Sequence, residues 1–390
     1  MGFFHYICNQ MFQSNTPKID TAYNSMMTPF QLRERLDKEI KFDFDDILLQ
    51  TESITEIDSR YSDIKLKGRL PIITAPMDTV VDSNNYHLFH QQNINVCLPR
   101  GEFPDPDDIE ETFISVSLDS FEQLLDKSSN GETGLEIYPR ICIDVANGHM
   151  KRMHDLLRRK KNMPSLRHVE VMAGNVGSVD GFRQLSLSGA DYVRTGIGFG
   201  GGCLTAQQTG VAYAMGSLIY ECRIAKDSED LSADIVADGG MKDYADIIKA
   251  LALGADMVML GSIFNKALES CGPTFRENVK HSSWTEPGEE INQYEPKVAE
   301  LLRSGINFYK KFRGMSTKEV QEKWGKQDIR TSEGVVKMNK VEYTLQGWTT
   351  NFEHYLRSAM SYCNAKNYQE FIGQPKFTLI SENSLRRFRK

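Results

Sequence analysis

Residues 233–262 read ADIVADGGMKDYADIIKALALGADMVMLGS. Two short runs of apolar and β-branched residues, 233–240 and 255–262, flank the segment 244–254, where apolar side chains recur every three or four positions. This spacing predicts two buried strands with a covering helix between them. Because alternation of strand and helix is typical of parallel sheets, the stretch predicts one unit of an α/β fold.

The same unit recurs toward the N-terminus. Six further runs have the same character: LPIITA (70–75), NINVCL (93–98), FISVSL (113–118), RICIDVA (140–146), HVEVMA (168–173) and ADYVRTG (190–196). Segments such as MKRMHDLLRRKK between them have helical spacing. Eight strands that alternate with helices predict a (β/α)8 TIM barrel, and a doubly wound open sheet is the alternative.

The chain divides into one large domain with two less regular ends. Residues 41–375 are predicted to form a single barrel catalytic domain, after an N-terminal extension (1–40) and before a basic C-terminal tail (376–390). Two long departures interrupt the pattern: a loop from 197 to about 215 and a polar excursion over about 265–345. We interpret the excursion as a flap over the active site, since long loops are usually functional; a solvated insertion is the alternative.

Composition excludes several classes of protein. The 390 residues are 40% hydrophobic and 25% charged, which is typical of a soluble globular protein, and no run of 18 residues is uniformly apolar. The net charge of −7 argues against nucleic-acid binding. Seven cysteines without a CxxC pair indicate neither a disulfide framework nor a metal site. We therefore expect reduced thiols, a cytoplasmic location and no membrane partner.

The glycine-rich loop GFGGGCLTAQQTG (198–210) follows the sixth predicted strand and carries Cys203. In this fold the active site forms at the carboxyl ends of the strands, so the loop is predicted to enter it. Structural cysteines pack among apolar neighbours, as we expect of Cys97 and Cys142 within strand runs. Cys203 has almost no such neighbours, which indicates a reactive thiol.

Glycines also follow the seventh and eighth predicted strands, where this fold commonly binds phosphate. Gly239, Gly240, Gly261 and Ser262 are therefore candidate phosphate ligands, although ordinary left-handed turns would explain the glycines equally well. For His149, two interpretations stay open: it donates a proton in the reaction, or it is a solvated side chain beside a turn.

Ten motifs occur in a fixed order: FDFDDILL, APMDTV, CIDVANGH, MAGNV, SGADYVRTGIGFGGGCLT, TGV, DGG, GADMVMLGS, RGMS and RTSEG. Over about residues 41–370 the chain thereby resembles the IMP dehydrogenase and GMP reductase family of purine nucleotide enzymes. The resemblance implies a barrel whose loop cysteine, here Cys203, attacks C2 of the purine ring. It also implies a purine nucleotide substrate and a homotetramer.

The resemblance implies a role for each matching residue. Thr205 and Glu333 match the pair that handles the proton of the departing ammonia, and Asp238 matches the ligand of the ribose diol. Gly240, Gly261 and Ser262 match phosphate ligands. Gly200, Gly201 and Gly239 are predicted to bind substrate beside them, because they follow strands at the end of the barrel where this fold commonly binds anions. Met315 and Ser316 match the segment that meets the base. The positions that match the cofactor side are Asp144, Ala146, Arg330 and Ser332.

Two features favour the reductase branch, in which NADPH reduces GMP to IMP and ammonia. The dehydrogenase branch usually carries regulatory repeats within its barrel, but only one strand and helix fit between residues 97 and 140. It also carries an Arg-Tyr pair in its flap, whereas this flap has Arg313 and Arg330 without a tyrosine beside either. The alternatives are oxidation of IMP to XMP, or nucleotide binding without turnover.

Departures from the family pattern lie near the predicted chemistry. Gly201 replaces a phosphate-binding serine of most members, Ala206 replaces an arginine of the reductases, and Leu204 replaces a small residue. The segment APMDTV is more typical of dehydrogenases. These mixtures leave open a relative that acts on another purine nucleotide.

Overall fold

The quoted stretch forms one βαβ unit in the computed structural model, which describes residues 40–58, 61–277, 288–315, 317 and 334–388. Its strands are Asp234–Asp238 and Met257–Leu260, and its helix is Tyr244–Leu253. The helix begins where the Asp243 side chain accepts a hydrogen bond from the Asp246 amide at 3.0 Å. It ends at Gly254, whose φ of +118° favours glycine.

Strands and helices alternate through the first two thirds of the described chain. The strands are β1 (Ile47–Leu49), β2 (Ile72–Thr74), β3 (Val96–Leu98), β4 (Thr112–Val116), β5 (Arg140–Ile143), β6 (Glu170–Val176), β7 (Tyr192–Thr195), β8 (Asp234–Asp238), β9 (Met257–Leu260), β10 (Thr274–Arg276), β11 (Glu290–Ile291), β12 (Phe308–Arg313), β13 (Val336–Lys340) and β14 (Phe377–Leu379). The helices are α1 (Tyr86–Gln91), α2 (Leu118–Ser129), α3 (Lys151–Lys161), α4 (Val179–Ser188), α5 (Thr205–Thr209), α6 (Met215–Glu229), α7 (Tyr244–Leu253), α8 (Ser262–Asn265), α9 (Pro296–Arg303), α10 (Leu345–Tyr362) and α11 (Glu382–Phe388).

Strands β2 to β9 form a closed parallel barrel. Their order in the sheet is β2-β9-β8-β7-β6-β5-β4-β3, with every adjacent pair parallel. A parallel bridge between Ile73 and Asn95 joins the two remaining edges. All eight strands coincide with the predicted runs, which confirms the (β/α)8 barrel and excludes the open sheet.

Two apolar layers stabilise the barrel. The lumen is filled by side chains that include Cys97 and Cys142, both fully buried as predicted. A larger layer lies between the strands and the surrounding helices; Phe182, Ile219 and Leu251 are fully buried in it. Because side chains fill the lumen, a ligand has to bind outside it, and in this fold the binding site lies at the carboxyl ends of the strands.

The excursion over 265–345 contains regular structure that the sequence analysis did not predict. Strands β10 to β13 form an antiparallel sheet in the order β11-β10-β12-β13, and α9 lies within the same region. Residues 278–287, 316 and 318–333 of this region lie outside the described residues. This sheet ends beside the glycine-rich loop, as shown below.

The two ends of the described chain meet in a small third sheet. Strand β14 pairs antiparallel with β1, and the Phe377 ring lies 5.2 Å from that of Phe42. Part of the predicted tail therefore packs on the barrel domain. Residues 1–39 of the predicted N-terminal extension are not among those described. In the part of the chain that the structure describes, no helix is both long and apolar enough to span a membrane.

Candidate active site

A large cleft opens at the carboxyl ends of the barrel strands. Its volume is about 1580 Å³. It is lined after successive strands by residues that include Met77, Arg100, Ser117, Asp144, Asn175, Cys203, Asp238, Gly240 and Ser262. Pockets for one small ligand usually occupy roughly 300–1,000 Å³, so this cleft has room for two ligands side by side.

Cys203 lies in this cleft on the loop between β7 and α5. Its amide donates a hydrogen bond to Gly200 O at 2.8 Å, which closes a tight turn. Its half-buried thiol donates to Thr205 Oγ1 at 3.3 Å. The structure therefore brings together two of the three predicted catalytic residues, a thiol and a hydroxyl within hydrogen-bonding distance of each other.

The antiparallel sheet holds the Cys203 loop from its other side. Cys203 forms an isolated antiparallel bridge with Gly334, and the Val335 amide donates to Gly202 O at 3.0 Å. Gly314 passes so close that a Cβ added to it would lie 2.2 Å from Gly202 O, so any larger residue would separate the two segments. Glu333, the third predicted catalytic residue, precedes Gly334 in sequence but lies outside the described residues.

Other predicted residues divide between the cleft and the undescribed segments. Met315, Asp144 and Ala146 line the cleft, with Ala146 exposed. Ser316, Arg330 and Ser332, like Glu333, are not among the described residues.

A buried guanidinium joins the predicted cofactor side to the predicted ribose side. Arg194 on β7 donates to Asp144 Oδ1 at 2.9 Å and to Asp238 Oδ2 at 2.8 Å. Asn175 Nδ2 also donates to Asp238 Oδ2, at 2.8 Å. Among the described residues, every hydrogen bond shown to the Asp238 carboxylate ends on Oδ2, which leaves Oδ1 for a ligand. Arg194 is not among the residues predicted from the sequence, although a charged residue inside the apolar run ADYVRTG is a usable signal.

The candidate phosphate residues converge at one end of the cleft. Gly239 and Gly240 have φ of +98° and +88°, and a Cβ at Gly239 would lie 2.8 Å from Gly200 N. These two glycines are therefore needed for their left-handed turns and for close backbone approach. The Gly240 amide already donates a hydrogen bond to Phe199 O at 3.1 Å. Gly240 therefore shapes the backbone of the loop and does not offer its amide to a ligand. Gly201 faces Ser262, since its added Cβ would lie 3.0 Å from Ser262 Oγ.

His149 contributes as an acceptor. Its Nε2 accepts a hydrogen bond from the Gly177 amide at 3.1 Å. Burial lowers the pKa of His149, which favours the neutral ring that this bond requires. The geometry thus gives His149 a role in holding the loop after β6.

Comparison with known proteins agrees with this geometry. The family model for the IMP dehydrogenase / GMP reductase domain matches residues 135–284. Human GMP reductase 2 is 30% identical over 378 residues, which cover 89% of this chain and 96% of that protein. The chain belongs to the IMP dehydrogenase and GMP reductase family.

Relatives from both branches match, over different extents. A GMP reductase of Caenorhabditis elegans is 27% identical over 90% of this chain and 95% of its own length. An inosine-5'-monophosphate dehydrogenase of Chlorobaculum parvum is 33% identical over 65% of this chain but only 47% of its own length. Family membership is consistent with an oxidoreductase that acts on a purine nucleotide.

Proposed function

We propose that this protein is an NADPH-dependent GMP reductase that converts GMP to IMP and ammonia through a covalent bond between Cys203 and the purine. The observation that carries the proposal is the Cys203 thiol in the cleft, 3.3 Å from the Thr205 hydroxyl. The match to proteins named GMP reductase along nearly their whole length supports this branch.

In the proposed reaction the Cys203 thiolate adds to C2 of GMP and forms a C–S bond. The bond from C2 to the exocyclic nitrogen then breaks, and the amino group takes up a proton and leaves as ammonia. Thr205, at 3.3 Å from the sulfur, is placed to relay this proton, with Glu333 as the proposed carboxylate partner. Once C2 has gained a hydride in place of the amino group, the C–S bond breaks, the thiolate is regenerated and IMP leaves.

The chain's other cleft residues fit a nucleotide and a second ligand. Asp238 Oδ1 suits a ribose hydroxyl, because Arg194 and Asn175 hold the opposite carboxylate oxygen. NADPH would supply the hydride that replaces the amino group at C2, and we assign its binding to Asp144, Ala146, Arg330 and Ser332. The cleft volume of about 1580 Å³ accommodates both molecules. We also propose that the protein is a homotetramer and that it lies in the cytoplasm. Light scattering would test the oligomeric state, and fluorescence microscopy of a tagged protein would test the location.

Oxidation of IMP to XMP is the second candidate function, favoured by the 33% identity to a dehydrogenase. That reaction needs an activated water. Arg313, one of the flap arginines, instead donates a hydrogen bond of 2.6 Å to Asp78. This commitment favours the reductase.

Absorbance of the reduced cofactor distinguishes the two reactions. With GMP and NADPH, we expect consumption of NADPH with equal amounts of IMP and ammonia, and no XMP from IMP and NAD. Glu333→Gln should lower kcat much more than nucleotide affinity, because the carboxylate acts in the transition state. Rapid XMP formation would reject the proposal, and tight GMP binding without any reaction would favour a non-catalytic protein.

A further inference from the structure

Lys337 places a cation beside the phosphate end of the cleft. A Cβ added to Gly201 would lie 3.9 Å from Lys337 Nζ, as well as 3.0 Å from Ser262 Oγ. The Gly201 backbone, the Ser262 hydroxyl and the Lys337 ammonium therefore lie around one point on the cleft wall. Lys337 belongs to β13 of the antiparallel sheet, so the cation comes from outside the barrel.

The position of this ammonium follows from its strand. Lys337 pairs directly with Phe312 across β12 and β13, and its Nζ lies 5.3 Å from the centre of the Phe312 ring. Phe312 itself lines the cleft. Lys337 is exposed along much of its length, and the cation–π contact restrains its ammonium beside this cleft-lining ring.

The electrostatics of the described residues leave Lys337 short of negative charge. No salt bridge to it is formed by any described carboxylate, and its neighbour Lys266 is paired with Glu342 at 2.9 Å. Burial, together with the charge of Lys266, lowers the pKa of Lys337. An anion bound beside Gly201 would stabilise the charged ammonium and so raise the pKa of Lys337 again.

We propose that Lys337 binds the 5′-phosphate of the mononucleotide substrate, together with Gly201 and Ser262. The inference rests on the proposed function for its ligand. A nucleoside monophosphate carries a charge of about −1.5 to −2 at neutral pH, which suits one ammonium and a hydroxyl in a glycine-lined pocket. Where most family members have a phosphate-binding serine, Gly201 has no side chain and leaves room for the Lys337 ammonium beside Ser262. The small antiparallel sheet thus contributes a binding residue as well as a cover.

Titration calorimetry with GMP and guanosine, in the absence of NADPH, tests this assignment. Lys337→Gln should weaken GMP binding roughly 10- to 100-fold, the usual effect of losing a hydrogen bond to a charged group. Guanosine lacks the phosphate, so its affinity should change less than about twofold. The GMP affinity of the wild type should also fall more steeply with salt than that of Lys337→Gln.

Two further variants serve as controls. Lys340→Gln removes a charge from the same strand at a position opposite Tyr309, and it should bind GMP like the wild type. Gly201→Ala places a methyl group in the pocket, so it should weaken GMP binding more than guanosine binding.

The outcomes separate this inference from the proposed function. Unchanged GMP affinity in Lys337→Gln, or equal loss for GMP and guanosine, would overturn the inference even in an active reductase. Lysine-dependent GMP binding without turnover would keep the inference and reject the reductase. A wild type that binds neither GMP nor IMP would reject both.

Discussion

Cys203 and Cys363 are both half-buried thiols, but their surroundings differ. Burial raises the pKa of Cys363 to about 11, so it stays protonated at neutral pH. Cys203 instead lies in the cleft beside Thr205. With GMP and no cofactor, we expect intact-mass spectrometry to show a gain equal to GMP less ammonia. Cys203→Ala should abolish this adduct and turnover, whereas Cys363→Ala should retain both. An adduct mapped to Cys97 or Cys142 would contradict the assignment.

At this scale the sequence identified residues whose chemistry depends on local context. Cys203 was singled out as reactive because its loop offers almost no apolar partners, and this role stays a prediction. The burial of Cys97 was predicted from its apolar run and is confirmed. Arg194 was missed because its partners Asp144 and Asp238 come from other strands, and only the closed barrel brings the three together. Lys337 is a similar case, since its relation to Gly201 depends on a sheet that was not predicted.

Helix α7 carries a buried carboxylate whose ionisation opposes folding. Asp246 is 2% exposed, and burial together with the charge of Asp243 raises its pKa from 3.8 to about 6. The folded state therefore binds more protons than the unfolded state between these pH values, and this group's contribution to stability rises as the pH falls from 6 toward 3.8. At neutral pH its ionised form costs stability.

We therefore expect Asp246→Asn to be stabilising relative to the wild type at pH 7.5, with the advantage shrinking by roughly 3 kcal/mol toward pH 4, at 1.36 kcal/mol per unit of pKa. Urea unfolding of both proteins at a series of pH values measures this difference. Asp107→Asn, at an exposed position, should show no such trend. If the difference in free energy of unfolding between Asp246→Asn and the wild type is the same at every pH, ionisation of the Asp246 carboxylate does not destabilise the fold.

Elements were predictable where one local pattern decides them. The β8, α7 and β9 runs have uniform apolar strands and a capping Asp243, and all three form as expected. Strand β12 was missed because its inward-facing positions are Phe308, Lys310 and Phe312. The buried lysine breaks the apolar signal and bonds to the Ser270 carbonyl, a partner that the sequence does not reveal.

On the scale of the whole molecule, one buried ion pair ties the antiparallel sheet to the barrel. Arg313 ends β12 and bonds to Asp78, which follows β2, through two hydrogen bonds of 2.6 and 3.4 Å. Both side chains are only 11% exposed. Gly314, the next residue, contacts Gly202 beside the nucleophile. The pair therefore positions the wall of the active site as well as the sheet.

Breaking this pair should affect both stability and turnover. Arg313→Met removes the guanidinium that neutralises the largely buried Asp78 carboxylate, which should lower the free energy of unfolding by up to about 3 kcal/mol. Because Gly314 would no longer hold the Cys203 loop, we also expect kcat/KM for GMP to fall at least roughly tenfold, or about 1.4 kcal/mol. Urea denaturation and steady-state kinetics measure the two effects.

The pair formed by Lys266 and Glu342 provides the matched comparison, because its side chains are 31% and 45% exposed. Glu342→Gln should cost no more than about 1 kcal/mol, as expected for a solvated ion pair. Combining Arg313→Met with Asp78→Asn should recover part of the lost stability, since no buried charge then remains, but it should leave kcat/KM low. If the double variant regains full activity, the ion pair serves stability alone, and the close packing of Gly202 against Gly314 is sufficient to hold the nucleophile loop in place.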